Sequence, residues 1–494
     1  MGHTPLSAHK FKKGIFITPL NEVCTPLMDN ETWLIGRIPE YLWIGFIVNN
    51  YNRKGGMYKA CLILNALYNT TKELQLPRMS DILALPDEIQ NKFYNEVLKI
   101  VPIEVLSPLT LIYTSSKYPI FSRRFFCSFD IDYRKKKIEE ILSKILDHQS
   151  FLSTDIRYLT ICFEGFRKKV RIASNSEMMI KALNEYPYTE HDNPIMGCYR
   201  SNIRSLELMA SQMCGIKSNS KYIDFFWHTI GMLTDCKLFQ VNFTEEERNM
   251  DLYLKKLQGL FSFLNTQYSK KILDEKSEVI IAIATYSYKR FKELVSHNLS
   301  NTILGRSCFR GLFESYIMLK YLLKHENEHE NIWRDFKIYG LGKYKSTVLK
   351  HREYNIHKPE SHINLEYIDS IVNEFTMEDF INIDTSYFDN TNIRKKAEEV
   401  GELELYSLYY NYSSSYEHGL WGAIRESSML KCRNPAHQCH CVPDIDSIQN
   451  VKSVLPDSLS LMNKIMEVLN KIRPYLNQDG GDVKFVKFED GICY

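Results

Sequence analysis

The sequence lacks the features that would place a protein in a membrane or in a secreted compartment, and it lacks the net charge that would attract nucleic acid to the whole protein surface. Its longest apolar run near the N-terminus, 41–48, is far shorter than the roughly 20 residues of a membrane-spanning helix. The 62 basic residues are balanced by 60 acidic ones, so no whole-protein field attracts a polyanion or an anionic membrane. The basic residues at the N-terminus are not followed by the apolar core of a signal peptide. We therefore expect a cytoplasmic protein with no membrane partner.

Disulfides and the common catalytic motifs are also missing. Most of the 12 cysteines are scattered singly along the chain, which is typical of reduced thiols rather than of a disulfide framework. The chain has no Walker loop and no Gly-x-Gly-x-x-Gly, His-Glu-x-x-His or Gly-x-Ser-x-Gly string. Common nucleotide-binding, zinc-protease and hydrolase chemistries therefore lack a motif, and we predict no cofactor.

What the sequence does contain is helical periodicity in more than one domain. A chain of 494 residues exceeds the size of a single hydrophobic core. We expect an N-terminal helical domain over 1–215, a helical bundle domain over 216–445, and a linker with a C-terminal segment over 446–494. The polar stretch 351–390 lacks sustained periodicity and is expected to be a long insertion in the bundle domain. The predicted fold class is all-α: multi-domain helical bundles with a short α/β-like stub at the C-terminus.

Three charged residues lie four apart in a segment that is otherwise apolar almost all round. Arg306, Arg310 and Glu314 interrupt the run 303–323, whose composition is typical of a helix inside a bundle. At this spacing the three side chains share one face, and we expect them to face protein. A buried charge is strongly unfavourable unless it is paired, so we expect an ion pair between Arg310 and Glu314. The pair fixes helix packing in one interpretation and forms part of a functional site in the other.

A second polar face is predicted in a helical pattern that runs over 391–430. Asn411, Ser415, His418 and Arg425 recur there at helical spacings. If the two polar faces meet, His418 could act as a general acid or base, and Arg310 could hold a phosphate. The alternative is that His418 is a hydrogen-bonded core residue. The candidate catalytic residues are His418, Arg310, Glu314, Asn411 and Ser415.

These two segments carry a resemblance to a known family. The pair Arg310 and Glu314, followed by the segment from Tyr410 to Gly419, resembles a bacterial domain-of-unknown-function family, number fifty-six seventy-seven, over about 270–445. That family is helical, occurs in genes suspected of anti-phage defence and is similar to HEPN domains. Many HEPN proteins are metal-independent ribonucleases with an Arg-x(4 to 6)-His motif. The resemblance implies an accessory or effector protein, in phage defence, whose helical domain binds or cleaves RNA or a nucleotide.

The ribonuclease motif itself is not matched where the resemblance would place it. The residue seven before His418 is Asn411 rather than an arginine. A literal match runs from Arg352 to His357, but it lies in the polar stretch just before Pro359, where chance is the better account. The sequence therefore does not decide whether the protein is an enzyme. The alternative function is a non-catalytic interaction or sensor module, and the expected partners are RNA or a nucleotide, a second protein, or another copy of the chain.

A group of cysteines and histidines occurs within ten residues near the end of the bundle domain. Thiolate and imidazole are ligands that suit zinc, but the spacing matches none of the usual two-plus-two patterns. We therefore predict packed or exposed thiols and no metal site, and a structural zinc is the alternative. The residues that would bind zinc in that alternative are Cys432, His437, Cys439 and Cys441.

The C-terminal segment 457–494 contains a more specific string. Arg473-Pro-Tyr-Leu, followed by Asp479-Gly-Gly-Asp, resembles the start of the NifU-type C-terminal domain of iron–sulfur scaffolds. In that family a Cys-x-x-Cys pair holds the cluster, whereas the one cysteine of this segment, Cys493, is out of place. We expect a truncated module that binds no cluster and is dispensable for folding. Iron–sulfur cluster assembly through this segment is a further alternative function.

Overall fold

A computed structural model describes residues 5–19, 22, 32–170, 176–213, 219–244, 249–269, 274–354, 361–384, 388–438, 440–476, 488–489 and 492–493. Helices dominate these residues, which confirms the predicted all-α fold class. The chain forms two compact units. Unit 1 comprises residues 1–239 and 431–442, and unit 2 comprises residues 240–430 and 443–494. Among the residues described, no helix combines the length and the apolar character needed to cross a bilayer.

Unit 1 is built around one helix that is buried on all sides. Residues Ile38 to Val48 of α1 are all buried, because this segment is apolar around its whole circumference, and α2, α6 and α7 pack against it. Pro39 lies in the first turn, where its missing N–H is not needed. The helices are α1 Ile38–Asn49, α2 Arg53–Thr70, α3 Met79–Leu83, α4 Asp87–Ile100, α5 Pro119–Phe125, α6 Ile131–Ile145, α7 Phe151–Phe166, α8 Glu177–Glu185, α9 Met196–Met213 and α10 Ser220–Leu233.

Short strands accompany the helices. β1 pairs with β2 in an antiparallel hairpin, β3, β4 and β5 form a three-stranded sheet, and β6 pairs with β7 near the C-terminus. The C-terminal pair agrees with the expected α/β-like stub. The other strands were not predicted, because two to four residues are too few to show an alternating pattern. The strands are β1 Lys10–Lys12, β2 Ile15–Ile17, β3 Leu238–Phe239, β4 Met429–Cys432, β5 Cys441–Pro443, β6 Phe488–Glu489 and β7 Ile492–Cys493.

Unit 2 has a centre of three long helices. α12, α13 and α20 pack against one another and contribute most of its buried apolar side chains. A wide π-helical turn, Tyr406–Tyr410, joins α17 to α18. The helices are α11 Asp251–Tyr268, α12 Glu275–Ser296, α13 Ile303–His325, α14 Ile332–Tyr354, α15 Leu365–Phe375, α16 Ile393–Glu399, α17 Leu403–Leu405, α18 Asn411–Glu417, α19 Trp421–Ser428 and α20 Leu455–Leu476.

Two expectations about unit 2 change in detail. The stretch 351–390, expected to be a long loop or insertion, is not a loop throughout, because it contains α15, which packs against α14. The helix expected over 391–430 is broken into several pieces. One break follows α18, where Gly419 adopts a left-handed conformation with φ +56°, a conformation that ends a helix and that glycine adopts at no steric cost.

The C-terminal helix α20 belongs to the core of unit 2. Met462, Ile465 and Met466 are fully buried on it and belong to the same apolar cluster as the buried residues of α12 and α13. The expectation that 457–494 is dispensable for folding is therefore wrong. The apolar spacing of these three residues is typical of one buried face of a helix.

Candidate functional site

The predicted charged face lies on α13, whose start is fixed by a cap. The Thr302 hydroxyl accepts a hydrogen bond from the Gly305 N–H, which satisfies one of the free donors at the helix start. A side chain on Gly305 would collide with the Leu299 carbonyl oxygen, at 2.2 Å from an added Cβ, so the chain can pass this closely only at glycine. These contacts set the position of the helix that carries Arg306, Arg310 and Glu314.

Arg306 is the most deeply buried of the three charged residues. Its side chain is 2% exposed and donates hydrogen bonds to the carbonyl oxygens of Ser300, Thr302 and Lys452. Its guanidinium also lies 5.6 Å from the ring centroid of Tyr416. Because its partners are main-chain carbonyls, Arg306 holds together the loops around the start of α13 and has a structural role.

Arg310 and Glu314 form the predicted ion pair, but at the edge of the unit rather than in its core. Arg310 Nε donates to Glu314 Oε1 at 2.9 Å, and the two side chains are 17% and 40% exposed. Burial lowers the pKa of Arg310, but Glu314 and Tyr410 together outweigh this effect and raise the pKa overall. A pair this accessible to water contributes only about 0–1 kcal/mol to stability.

The residue of the second polar segment that contacts Arg310 is a tyrosine, Tyr410, and not the predicted His418. Arg310 Nη2 donates to the Tyr410 hydroxyl at 3.0 Å, and the guanidinium lies 5.0 Å from the centroid of the Tyr410 ring. Tyr410 stacks on Tyr406, with centroids 4.7 Å apart, within the π-helical turn. The sequence could not identify this contact, because the extra residue in the π-helical turn shifts every face that follows it.

The other predicted catalytic residues lie apart from this contact. Asn411 and His418 are exposed, and His418 follows the last residue of α18. The Ser415 hydroxyl donates to the Tyr412 carbonyl at 2.6 Å, a local helix contact. Across the described part of the chain, no hydrogen bond or ion pair links His418 to Arg310 or to Glu314. The predicted polar face also ends early, because Arg425 lies beyond the break at Gly419 and donates to the Met429 carbonyl.

Within the described residues, one set of side chains has the composition and spacing to hold a metal ion. The ligand atoms of Cys236, Cys432, His437 and His440 all lie within 4.8 Å of one another. All four residues belong to unit 1. Cys439 lies outside the described residues, and Cys441 is not part of the set.

Comparison with known proteins supports both resemblances. Residues 465–494 match the model of the NifU-like domain, and this match begins inside α20. No curated protein and no solved structure matches the chain. The similarity to HEPN domains stays a prediction. Residues 246–437, which include the whole Arg310 contact, match the model described as "Family of unknown function (DUF5677)".

Proposed function

We propose that unit 2 carries a non-catalytic interaction module and that it binds a second copy of this chain through an exposed apolar corner. The corner is formed by Leu420, Trp421 and Ile424 and is called the corner patch below. The observation that carries the proposal is the exposure of Trp421, which is 67% accessible to solvent beside two further exposed apolar residues. Contiguous exposed apolar groups on a folded protein mark sites of interaction.

The corner patch is held in place by the turn between α18 and α19. Gly419 ends α18 in a left-handed conformation, and the Tyr412 hydroxyl of α18 donates to the Glu426 carboxylate of α19 at 2.8 Å, which ties the two helices together. On α19, Ala423 is buried while Ile424 is 40% exposed, so this helix has a distinct outer face. Trp421 is therefore displayed on ordered helical backbone.

Burying the corner patch would contribute a substantial part of the free energy of binding. A tryptophan buries about 150–250 Å² when fully covered, and Trp421 is 67% exposed. Covering the exposed part would contribute about 3 kcal/mol per copy at about 25 cal/mol/Å². Tryptophan is also among the residues that most often dominate the binding energy of protein interfaces.

The charges around the corner patch favour a protein partner over a nucleic acid. Glu417 precedes the corner and Arg425 follows it, so opposite signs flank the apolar centre. A polyanion needs a cluster of basic side chains, which this surface does not provide. A two-fold contact places the same patch on both copies, so that Glu417 of one copy can face Arg425 of the other.

The experiment is light scattering after size-exclusion chromatography on the wild-type chain and on two variants. Trp421→Glu should shift a dimer to a monomer, because a charge would be buried at the centre of the contact. Phe380→Glu is the matched control, since Phe380 is an equally apolar residue of unit 2 that is 74% exposed. A dimer that survives Trp421→Glu, or that is lost only in Phe380→Glu, contradicts the proposed surface.

Binding of RNA or a nucleotide is the second candidate function, and the geometry of Arg310 favours it. Its Nε and Nη2 are occupied by Glu314 and Tyr410, and within the described residues no acceptor pairs with Nη1. A phosphate oxygen could bind there, because a guanidinium is suited to phosphate. We propose binding rather than cleavage, because His418, the predicted general acid or base, has no hydrogen bond or ion pair with Arg310 or Glu314 within the described residues. An effector role in phage defence is part of this candidate.

Fluorescence anisotropy with labelled single-stranded RNA and with a labelled nucleotide tests the second candidate. Arg310→Lys should weaken binding, whereas Arg394→Lys, an exposed arginine of the same unit, should not. Equal binding by the two variants, or no binding by the wild-type chain, counts against this candidate and leaves the corner patch untouched.

A further inference from the structure

Four side chains that commonly bind metals converge in unit 1 from two distant parts of the chain. Cys236 follows α10, Cys432 ends β4, His437 ends a short 3-10 turn, and His440 precedes β5. Cys236 and His440 are 204 positions apart in the sequence, yet the Cys236 Sγ lies 3.6 Å from the His440 Nε2. The Cys432 Sγ lies 3.7 Å from the His437 Nδ1.

These distances agree with a single tetrahedral ion. Zinc binds a thiolate sulfur at about 2.3 Å and an imidazole nitrogen at about 2.0–2.1 Å. In a regular tetrahedron these lengths place sulfur and nitrogen about 3.6 Å apart. The two measured sulfur–nitrogen distances, 3.6 and 3.7 Å, are close to this value, and the whole set fits within 4.8 Å.

We propose that Cys236, Cys432, His437 and His440 bind one zinc ion. Two thiolates and two imidazoles arranged around one point are a ligand set typical of zinc. A two-iron cluster with two cysteines and two histidines places the thiolates on one iron and the imidazoles on the other. Here each thiol lies beside an imidazole, which favours a single ion.

The surrounding groups orient two of the four ligands toward a common point. The His437 Nε2 lies 3.0 Å from the Thr234 carbonyl oxygen, which can only accept a hydrogen bond. Nε2 therefore carries the proton, and the lone pair of Nδ1 faces Cys432. The N–H groups of Lys237 and Asn434 both donate to the Cys432 Sγ at 3.3 Å. These two bonds fix the position of the Cys432 sulfur.

The ion would be structural, because the protein fills all four coordination positions. Its ligands join the segment around Cys236 to the returning segment 431–442, both of which belong to unit 1. Hydrogen bonds already link them, since the Asn434 side-chain Nδ2 donates to the Asp235 carbonyl and the Arg433 main-chain N–H donates to the Lys237 carbonyl. We expect the zinc ion to lock this connection.

The first test is the metal content of the full chain purified under reducing conditions from zinc-supplemented cells. We expect about one zinc ion per chain and no stoichiometric iron or sulfide. Removing the metal with a strong chelator should lower the Tm, and adding zinc should restore it. Replacing zinc with Co²⁺ should give the intense visible bands of a tetrahedral site with thiolate ligands.

Variants then identify the ligands. Cys236→Ser should lose the zinc and the Co²⁺ spectrum, and because Cys236 is exposed, the variant should still fold. Cys236→His supplies another zinc ligand and should retain the metal. Cys198→Ser, which replaces an exposed cysteine elsewhere in unit 1, is the matched control, and Cys441→Ser tests the neighbouring thiol. Both of these variants should keep one zinc ion.

Three results would overturn the proposal. The first is a wild-type chain that binds neither zinc nor Co²⁺ when fully reduced. The second is zinc retained by Cys236→Ser but lost from Cys441→Ser, which would mean a different ligand set. The third is a disulfide between Cys236 and Cys432 in the protein as purified, found by mass spectrometry together with the absence of metal.

Discussion

A buried carboxyl in unit 1 gives a prediction whose size follows from the structure. Glu40 lies on α1 and is 2% exposed. Its two oxygens accept hydrogen bonds from Ser80, from the main-chain N–H at 2.9 Å and from the hydroxyl at 2.7 Å. Burial raises the pKa of Glu40 from 4.5 to about 7, although the bonds from Ser80 oppose the shift. The folded protein therefore prefers the protonated, neutral carboxyl.

The sign of the pH dependence follows from this pKa. Because the folded-state pKa exceeds the unfolded value, the contribution of Glu40 to stability is fully present below about pH 4.5. This contribution decreases as the pH rises from about 4.5 to about 7, and above about pH 7 the stability no longer changes with the ionisation of Glu40. A shift from 4.5 to about 7 corresponds to a loss of about 3 kcal/mol in the free energy of unfolding.

Glu40→Gln removes the charge and keeps the shape of the side chain. The stability of the variant relative to wild type should therefore rise by about 3 kcal/mol between pH 4.5 and pH 8. Urea denaturation across this range, followed by tryptophan fluorescence, measures the difference. Glu104→Gln, at an exposed position of the same unit, is the control and should give a difference that does not change with pH. A pH-independent difference for Glu40→Gln would refute the burial argument.

The remaining predictions concern unit 2 and the C-terminus. Met466→Ala should destabilise the protein by about 2–5 kcal/mol in urea denaturation, because Met466 is fully buried on α20. Arg310→Ala should cost about 1 kcal/mol or less, since its partner Glu314 is 40% exposed, and a loss above about 3 kcal/mol would show that the pair is buried. His418→Ala should not change the thermal melt, because the side chain is exposed, and it should not change the integrity of added RNA, because His418 has no hydrogen bond or ion pair with Arg310 or Glu314 within the described residues; a stable variant that has lost a ribonuclease activity of the wild-type chain would establish catalysis. Anaerobic reconstitution with iron and sulfide should give no stoichiometric cluster that depends on Cys493.

The sequence predicted the fold class better than the limits of its elements. The buried helix α1 follows from an apolar run with a proline in its first turn, both of which are local properties. The break at Gly419 was harder to predict, because an isolated glycine is tolerated in many helices and the left-handed conformation depends on the contacts around it. The burial of α20 depends on α12 and α13, which are far away in the sequence.

The candidate sites show the same division between local and distant contacts. The pair of Arg310 and Glu314 was predictable because it lies within one helix turn. The contact with Tyr410 was not, because a π-helical turn changes the register of the later segment. Of the four proposed zinc ligands, the sequence pointed to Cys432 and His437, which are close together in the chain, but not to Cys236, which comes from a distant part of it.

The mass of the wild-type chain in solution tests the proposed interaction module most directly. Sedimentation equilibrium over a wide range of protein concentrations measures it without a label or a partner. One chain has a mass of 58.1 kDa, and we predict that the measured mass rises with concentration to twice this value. A mass that stays at 58.1 kDa at every concentration would contradict the proposal that the corner patch binds a second copy of the chain.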